Sequence, residues 1–190
     1  MKVYIIHHKL LLSSSVKVFT LVKQYSCMDE PYKSLLEKLT NLLLQEFGDK
    51  LISVVVYGSV ARGDNRKDSD IDLLLVIKDL PRTLTERIML FVKVESKMES
   101  EIERLMDEGY YVTFSPIIKT PEEAVKFSPL YMDMTEDAII LYDKDNFFGR
   151  VLDETREKLQ KLGFERVWLS KKIWYWRKKD YKPGEIIDFG

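Results

Sequence analysis

The chain of 190 residues has a single cysteine, Cys27, so no disulfide can form within it. A disulfide-stapled secreted fold is excluded, and a reducing cytoplasm is the expected location. Only two histidines occur, His7 and His8. No Ser-His-Asp or Cys-His arrangement is available beyond them for nucleophilic catalysis, and no Cys/His set for zinc. Adjacent strand residues face opposite ways, so His7 and His8 do not read as a metal pair. No apolar run reaches the ~18–20 residues of a membrane span. Lys and Arg total 30 against 31 Asp and Glu, a net charge of −1. The chain therefore lacks the basic coat of a nucleic-acid binder, although a local patch stays open. Hydrophobic residues at 45% and charged residues at 32% describe a soluble globular chain long enough for one domain with its own core.

The first 27 residues contain no acid at all. They carry four lysines, both histidines and the cysteine. Val3-Tyr4-Ile5-Ile6 and Leu10-Leu11-Leu12 are too short, and too broken by His7, His8 and Lys9, for a signal peptide. From Met28 the texture turns charged and helix-forming. Residues 1–27 are expected to be a leader or arm, or a start-site artefact with Met28 as the natural start. Without them the charge is 26 basic minus 31 acidic, or −5. Residues 28–163 are expected to form the domain, and 164–190 an aromatic and basic tail packed on it.

Apolar residues at helical spacing predict a helix over about 30–47, capped by Asp29 and ended by Gly48. Leu51–Tyr57 is a β-branched run that reads as a buried strand. A short helix is expected from Val60, a loop over Gly63–Ser69, and a second strand over Asp70–Ile77. Thr83 with Glu86 is a capping-box signature for one long helix to about Asp107. Tyr110–Ile118 reads as a third strand, and Pro116 in it suggests an edge position or a bulge. Thr120 and Ser128-Pro129 open two short helices. Ala138–Tyr142 is a short strand, and Asn146–Leu162 a final amphipathic helix. The alternation of helices and strands predicts one mixed domain.

The chemistry concentrates between Tyr57 and Leu73. Gly58-Ser59 leaves the first strand, and ten residues later Asp70-Ile71-Asp72 opens the second. Glycine lets backbone approach a phosphate closely, and a hydroxyl can hold it. Two aspartates one residue apart on a strand share a face, roughly 6.5–7 Å apart along it. Paired carboxylates repel, so a cation is needed for both to ionise easily. That donor set suits Mg²⁺, which binds one or two carboxylates plus substrate phosphates. Gly58-x4-Gly63 looks like the opening of a P-loop, but Asp64-Asn65 follows where Lys-Ser/Thr is required. Arg62, one helical turn on, either reaches a phosphate or makes a surface ion pair. Ser69 is expected to form a local hydrogen bond, and Arg66, Lys67 and Asp68 a solvated loop.

The string G-S-x-A-R-G-x5-S-D-I-D-L over residues 57–73 resembles the minimal, single-domain members of the polymerase-β-like nucleotidyltransferase superfamily. The order of elements is similar over about 30–143. The resemblance implies an α+β nucleotidyltransferase fold, a small mixed β-sheet flanked by helices. It implies that Gly58 and Ser59 hold the triphosphate of an NTP and that Asp70 and Asp72 bind Mg²⁺. The implied reaction is transfer of a nucleoside monophosphate to a hydroxyl of a protein, RNA or small-molecule acceptor, releasing pyrophosphate. Family members commonly take a third carboxylate from the next sheet strand. Here that strand offers Thr113 and Ser115 but no acid, leaving Asp133 to fold back as a substitute or to stay a surface residue.

Arg166–Lys182 interleaves seven bases with three tryptophans and two tyrosines. Such a segment can stack nucleic acid, can anchor a protein partner, or can simply pack alternate aromatics on the core. The missing third acid and this tail support an alternative function. In it the chain is an antitoxin-like module neutralising a HEPN-type ribonuclease toxin. A catalytically weak nucleotide-binding scaffold is the remaining reading.

Overall fold

The structure, a computed structural model, describes residues 28–182 and 184–189. The expectations for residues 1–27 lie outside the described residues. Helix α1 (Tyr32–Phe47) forms because Tyr32, Leu35, Leu36, Leu39 and Leu43 recur on one face and are buried. Gly48, at φ +51°, ends it. The expected cap at Asp29 is displaced. The helix starts after Pro31, and the Glu30 carboxylate accepts from the Ser34 amide at 3.2 Å instead.

Strand β1 (Leu51–Tyr57) runs antiparallel to β2 (Ile71–Ile77), with the five-residue helix α2 (Gly58–Arg62) between them. The expected long helix is two: α3 (Leu84–Glu95) and α4 (Glu99–Asp107), joined by a tight turn over Ser96–Met98. The turn drops Met98 fully into the core. Thr83 caps α3 through the Glu86 amide, as the capping signature predicts. Strand β3 (Phe114–Lys119) starts four residues later than expected. The preceding residues bond to the β2 loop instead, with the Tyr111 amide donating to the Lys67 carbonyl at 2.8 Å.

Helix α5 (Pro121–Ala124) opens with both halves of the Thr120–Glu123 capping box. Helix α6 (Pro129–Asp137), strand β4 (Ile139–Asp143) and helix α7 (Phe147–Lys161) follow. The sheet order is β3-β2-β1-β4, with β2 and β3 parallel and the other pairs antiparallel. Pro116 therefore lies on an edge strand, where its missing N–H is tolerated. The tail is not irregular. It forms a two-stranded antiparallel hairpin of β5 (Phe164–Ser170) and β6 (Ile173–Lys178).

Alternation along the strands splits the core in two. Leu73, Leu75 and Ile77 of β2 pack with α1, α3 and α4. Leu74 and Val76 pack on the opposite face with residues of α5, α6 and α7. The fold is thus an α+β sandwich in which a small mixed sheet is flanked by helices on both faces. Among the described residues, no helix is long and apolar enough to cross a membrane.

Candidate active site

Register places the motif at one end of the β1–β2 pair. Tyr57 lies directly opposite Asp72, and the chain turns into α2 at once. Helix α2 begins at Gly58 itself, two residues before the expected start at Val60. Gly58 is required twice. Its φ is +73°, in the left-handed region. A Cβ there would also collide with Asp72 Oδ2 and lie 3.1 Å from Asp72 Cγ. The Gly-Ser turn is thereby pressed against the Asp72 carboxylate.

Asp70 is exposed and immediately precedes β2; Asp72 is half-buried within it. The two-residue period puts both on the face that continues through Leu74 and Val76. Burial raises the Asp72 pKa above the ordinary carboxylate value, and the Asp70 charge adds to the effect. Arg62 opposes it, so its guanidinium charge is felt at Asp72. A half-buried carboxylate whose ionisation a neighbouring aspartate disfavours fits a hard divalent cation sharing phosphate oxygens. Ser69 makes its expected local bond: its hydroxyl accepts from the Arg66 amide at 2.9 Å.

The neighbouring strand supplies no third acid. Ser115 of β3 stands opposite Asp72. Asp133 is engaged by the tail instead. Its Oδ1 accepts from the indole Nε1 groups of Trp174 at 2.7 Å and Trp176 at 2.9 Å. Among the described residues, no three His, Cys, Asp or Glu groups gather closely enough to hold a metal.

Arg62 is not a free surface arginine. Its guanidinium lies 3.3 Å from the Asp64 carboxylate and 3.9 Å from that of Asp137. It also sits over the Trp174 ring, 4.7 Å from the centroid. Arg166 forms a bidentate pair with Asp137 at 2.8 and 2.7 Å and stacks on Trp174 at 4.1 Å. Asp64, Asp137, Arg166 and Trp174 were not site candidates on sequence grounds. Arg166 and Trp174 lay within the mixture of bases and aromatics in the tail, whereas Asp64 and Asp137 carried no signal of their own.

A Gly-Ser turn against a paired-aspartate strand, on a mixed sheet flanked by helices, is the arrangement of a nucleotidyltransferase. The nucleotidyltransferase domain family matches residues 36–175, and the chain belongs to that family. This bears out the resemblance to minimal members of the polymerase-β-like superfamily. A Methanocaldococcus jannaschii protein provisionally named a protein adenylyltransferase is 28% identical over 163 residues, covering 84% of this chain and all of that one. A second protein of that organism, with the same provisional name, is 37% identical over 70 residues, or 37% of this chain and 61% of its own. Among solved structures, a toxin–antitoxin chain crystallised with AMP-PNP is 16% identical. It covers 66% of this chain and 90% of its own, with a TM-score of 0.42.

Proposed function

We propose that the protein transfers a nucleoside monophosphate from an NTP, with ATP as the favoured donor, to an acceptor hydroxyl and releases pyrophosphate. The close approach of Gly58 to Asp72 carries this reading, because it brings the Gly-Ser turn against the paired carboxylates. The relatives provisionally named protein adenylyltransferases support ATP and a protein hydroxyl.

In the reaction the acceptor oxygen forms a bond to the α-phosphorus. The bridging bond to the β-phosphate breaks in line, its electron pair leaves with pyrophosphate, and the hydroxyl proton passes to water. Gly58 and Ser59 bind the triphosphate through backbone and hydroxyl groups. Asp70 and Asp72 would hold a divalent cation such as Mg²⁺, which supplies neutralisation of the phosphate charge. Arg62 places a fixed positive charge beside the same carboxylates.

The test is calorimetry of Mg²⁺ and ATP binding to the wild type and to the Asp70→Asn, Asp72→Asn double variant. Metal-dependent nucleotide binding is expected to disappear in the variant, and an unchanged titration contradicts the assignment. Incubation with each labelled NTP and host lysate then identifies the donor and acceptor.

Ser115 opposite Asp72 favours one second reading, an antitoxin-like module that neutralises a HEPN-type ribonuclease by contact or by slow transfer. Co-expression with such a toxin is expected to yield a stable complex. Failure to associate removes this reading and leaves the first intact.

A further inference from the structure

The cluster joining the C-terminal hairpin to the motif holds buried polar atoms whose hydrogen bonding is incomplete, Asp64 Oδ1 among them, which keeps only its ion pair with Arg62 at 3.3 Å. Among the described residues, the buried side-chain atoms without a hydrogen-bond partner are Arg62 Nε, Asp64 Oδ1 and Arg166 Nε. All three lie in this one cluster. Buried polar groups are normally satisfied, and exceptions gather where a ligand or a functional constraint acts.

The hairpin is fixed on this side by charged and aromatic contacts. Arg166 and Asp137, with side chains only 8% and 14% exposed, form its anchor. Asp133 accepts from two of its three indoles. At the hairpin tip, the Lys172 ammonium donates to the Asp64 carbonyl at 3.0 Å. Arg166 and Arg62 both lie over the Trp174 ring, their guanidinium carbons 4.1 and 4.7 Å from its centroid.

Arg62 needs such a wall. It is the last residue of a helix of five residues. A long side chain there loses considerable rotamer freedom when it engages a ligand. A ring face that already confines the guanidinium removes part of that loss before the ligand arrives. Its contact with Asp137 is long, at 3.9 Å, because Asp137 is already engaged at 2.7 Å by Arg166, which leaves Asp64 at 3.3 Å as its one nearer carboxylate. The guanidinium is therefore oriented without being consumed.

We infer that the hairpin is a working wall of the nucleotide site, with Trp174 as a positioning residue that aims Arg62 at the bound triphosphate. The inference rests on the nucleotide-site reading above. It assigns the tail a role in ligand affinity rather than packing alone.

The test is a double-mutant cycle on the full chain, read as the Kd for Mg²⁺ and ATP by calorimetry. Trp174→Ala is expected to weaken binding about three- to tenfold, the worth of a partly desolvated cation–π contact. Trp174→Phe, which keeps a π face, restores most of the affinity. In an Arg62→Ala background, Trp174→Ala adds no further loss. Tyr175→Ala, on the opposite face of β6, leaves binding unchanged. If Trp174→Ala does not fold, Trp174→Leu keeps apolar volume without the π face and carries the same expectation. Wild-type binding with a silent Trp174 variant, or with losses that simply add to those of Arg62→Ala, overturns the inference alone. A wild type that binds no nucleotide overturns the site reading and this inference with it.

Discussion

A glycine that cannot carry a side chain is the tightest constraint in the site. Gly58→Ala introduces a methyl group into the Asp72 carboxylate and forces a left-handed φ on an L-residue. Such strain costs on the order of 1–3 kcal/mol. The variant is expected to lower the thermal midpoint and to weaken Mg²⁺–ATP binding together, because relief requires moving either the turn or Asp72. A variant of wild-type stability and affinity would show that turn and carboxylate are independent. This part of the site was legible in the sequence, since Gly-Ser and Asp-x-Asp are local motifs on predictable strands. The surroundings of Arg62 were not. Asp137 and Trp174 come from 75 and 112 positions downstream, and no local pattern announces that they converge on it.

At the scale of elements, helix starts show what side-chain chemistry secures. Asp143, at the end of β4, accepts from Ser53 Oγ at 2.6 Å and from the Phe148 and Gly149 amides at 3.0 and 2.9 Å. It therefore joins the sheet to the first turn of α7. Asp143→Ala is expected to cost about 1–3 kcal/mol in urea denaturation, since it removes a cap and strands a buried hydroxyl. Ser53→Ala should cost less, because the two amides keep their acceptor. Equal losses would place the stabilisation in the Ser53 bond rather than in the cap.

A second tie joins α3 to α5. The Arg87 guanidinium pairs with Glu123 through two bonds of 2.6 and 2.9 Å. The hydrogen bond from Arg87 is the main reason the Glu123 carboxyl is held at about 2 rather than 4.5. A depressed carboxylate contributes stability above its unfolded value and loses it as pH falls through the folded one. Glu123→Gln should lower stability at neutral pH by at most about 1 kcal/mol, because the Glu123 side chain is partly exposed and its charge is screened by solvent. The gap between wild type and variant, followed by thermal melts, should shrink as pH falls below about 4.5 and close near 2. A gap that persists there would exclude ionisation as its source. These helices were legible because capping boxes and apolar spacing are local. The hairpin was not, since Ser170-Lys171-Lys172 carries no glycine or asparagine turn signal and the strands alternate aromatics with bases.

Across the whole molecule, stability is unevenly distributed, and the distribution bears on the site. The β1–β2 pair lies at the centre of a four-stranded sheet covered by helices on both faces. The hairpin forms a separate two-stranded sheet whose outer residues Leu169, Ile173 and Tyr175 are exposed. An isolated two-stranded ribbon is marginal by itself, so the hairpin depends on the Arg166–Asp137 and indole–Asp133 contacts. Hydrogen exchange should therefore be slowest in β1 and β2 and markedly faster in β5 and β6. Arg166→Ala should accelerate exchange in the hairpin while leaving β1 and β2 protected. Uniform protection across both sheets, or equal acceleration of both in the variant, would mean that hairpin and domain unfold as one unit. In that case the wall beside Arg62 could not loosen while the paired aspartates stay in place. With separable sheets, the sheet that carries Asp72 keeps the carboxylates in position, and order in the hairpin sets how firmly Arg62 is aimed beside them.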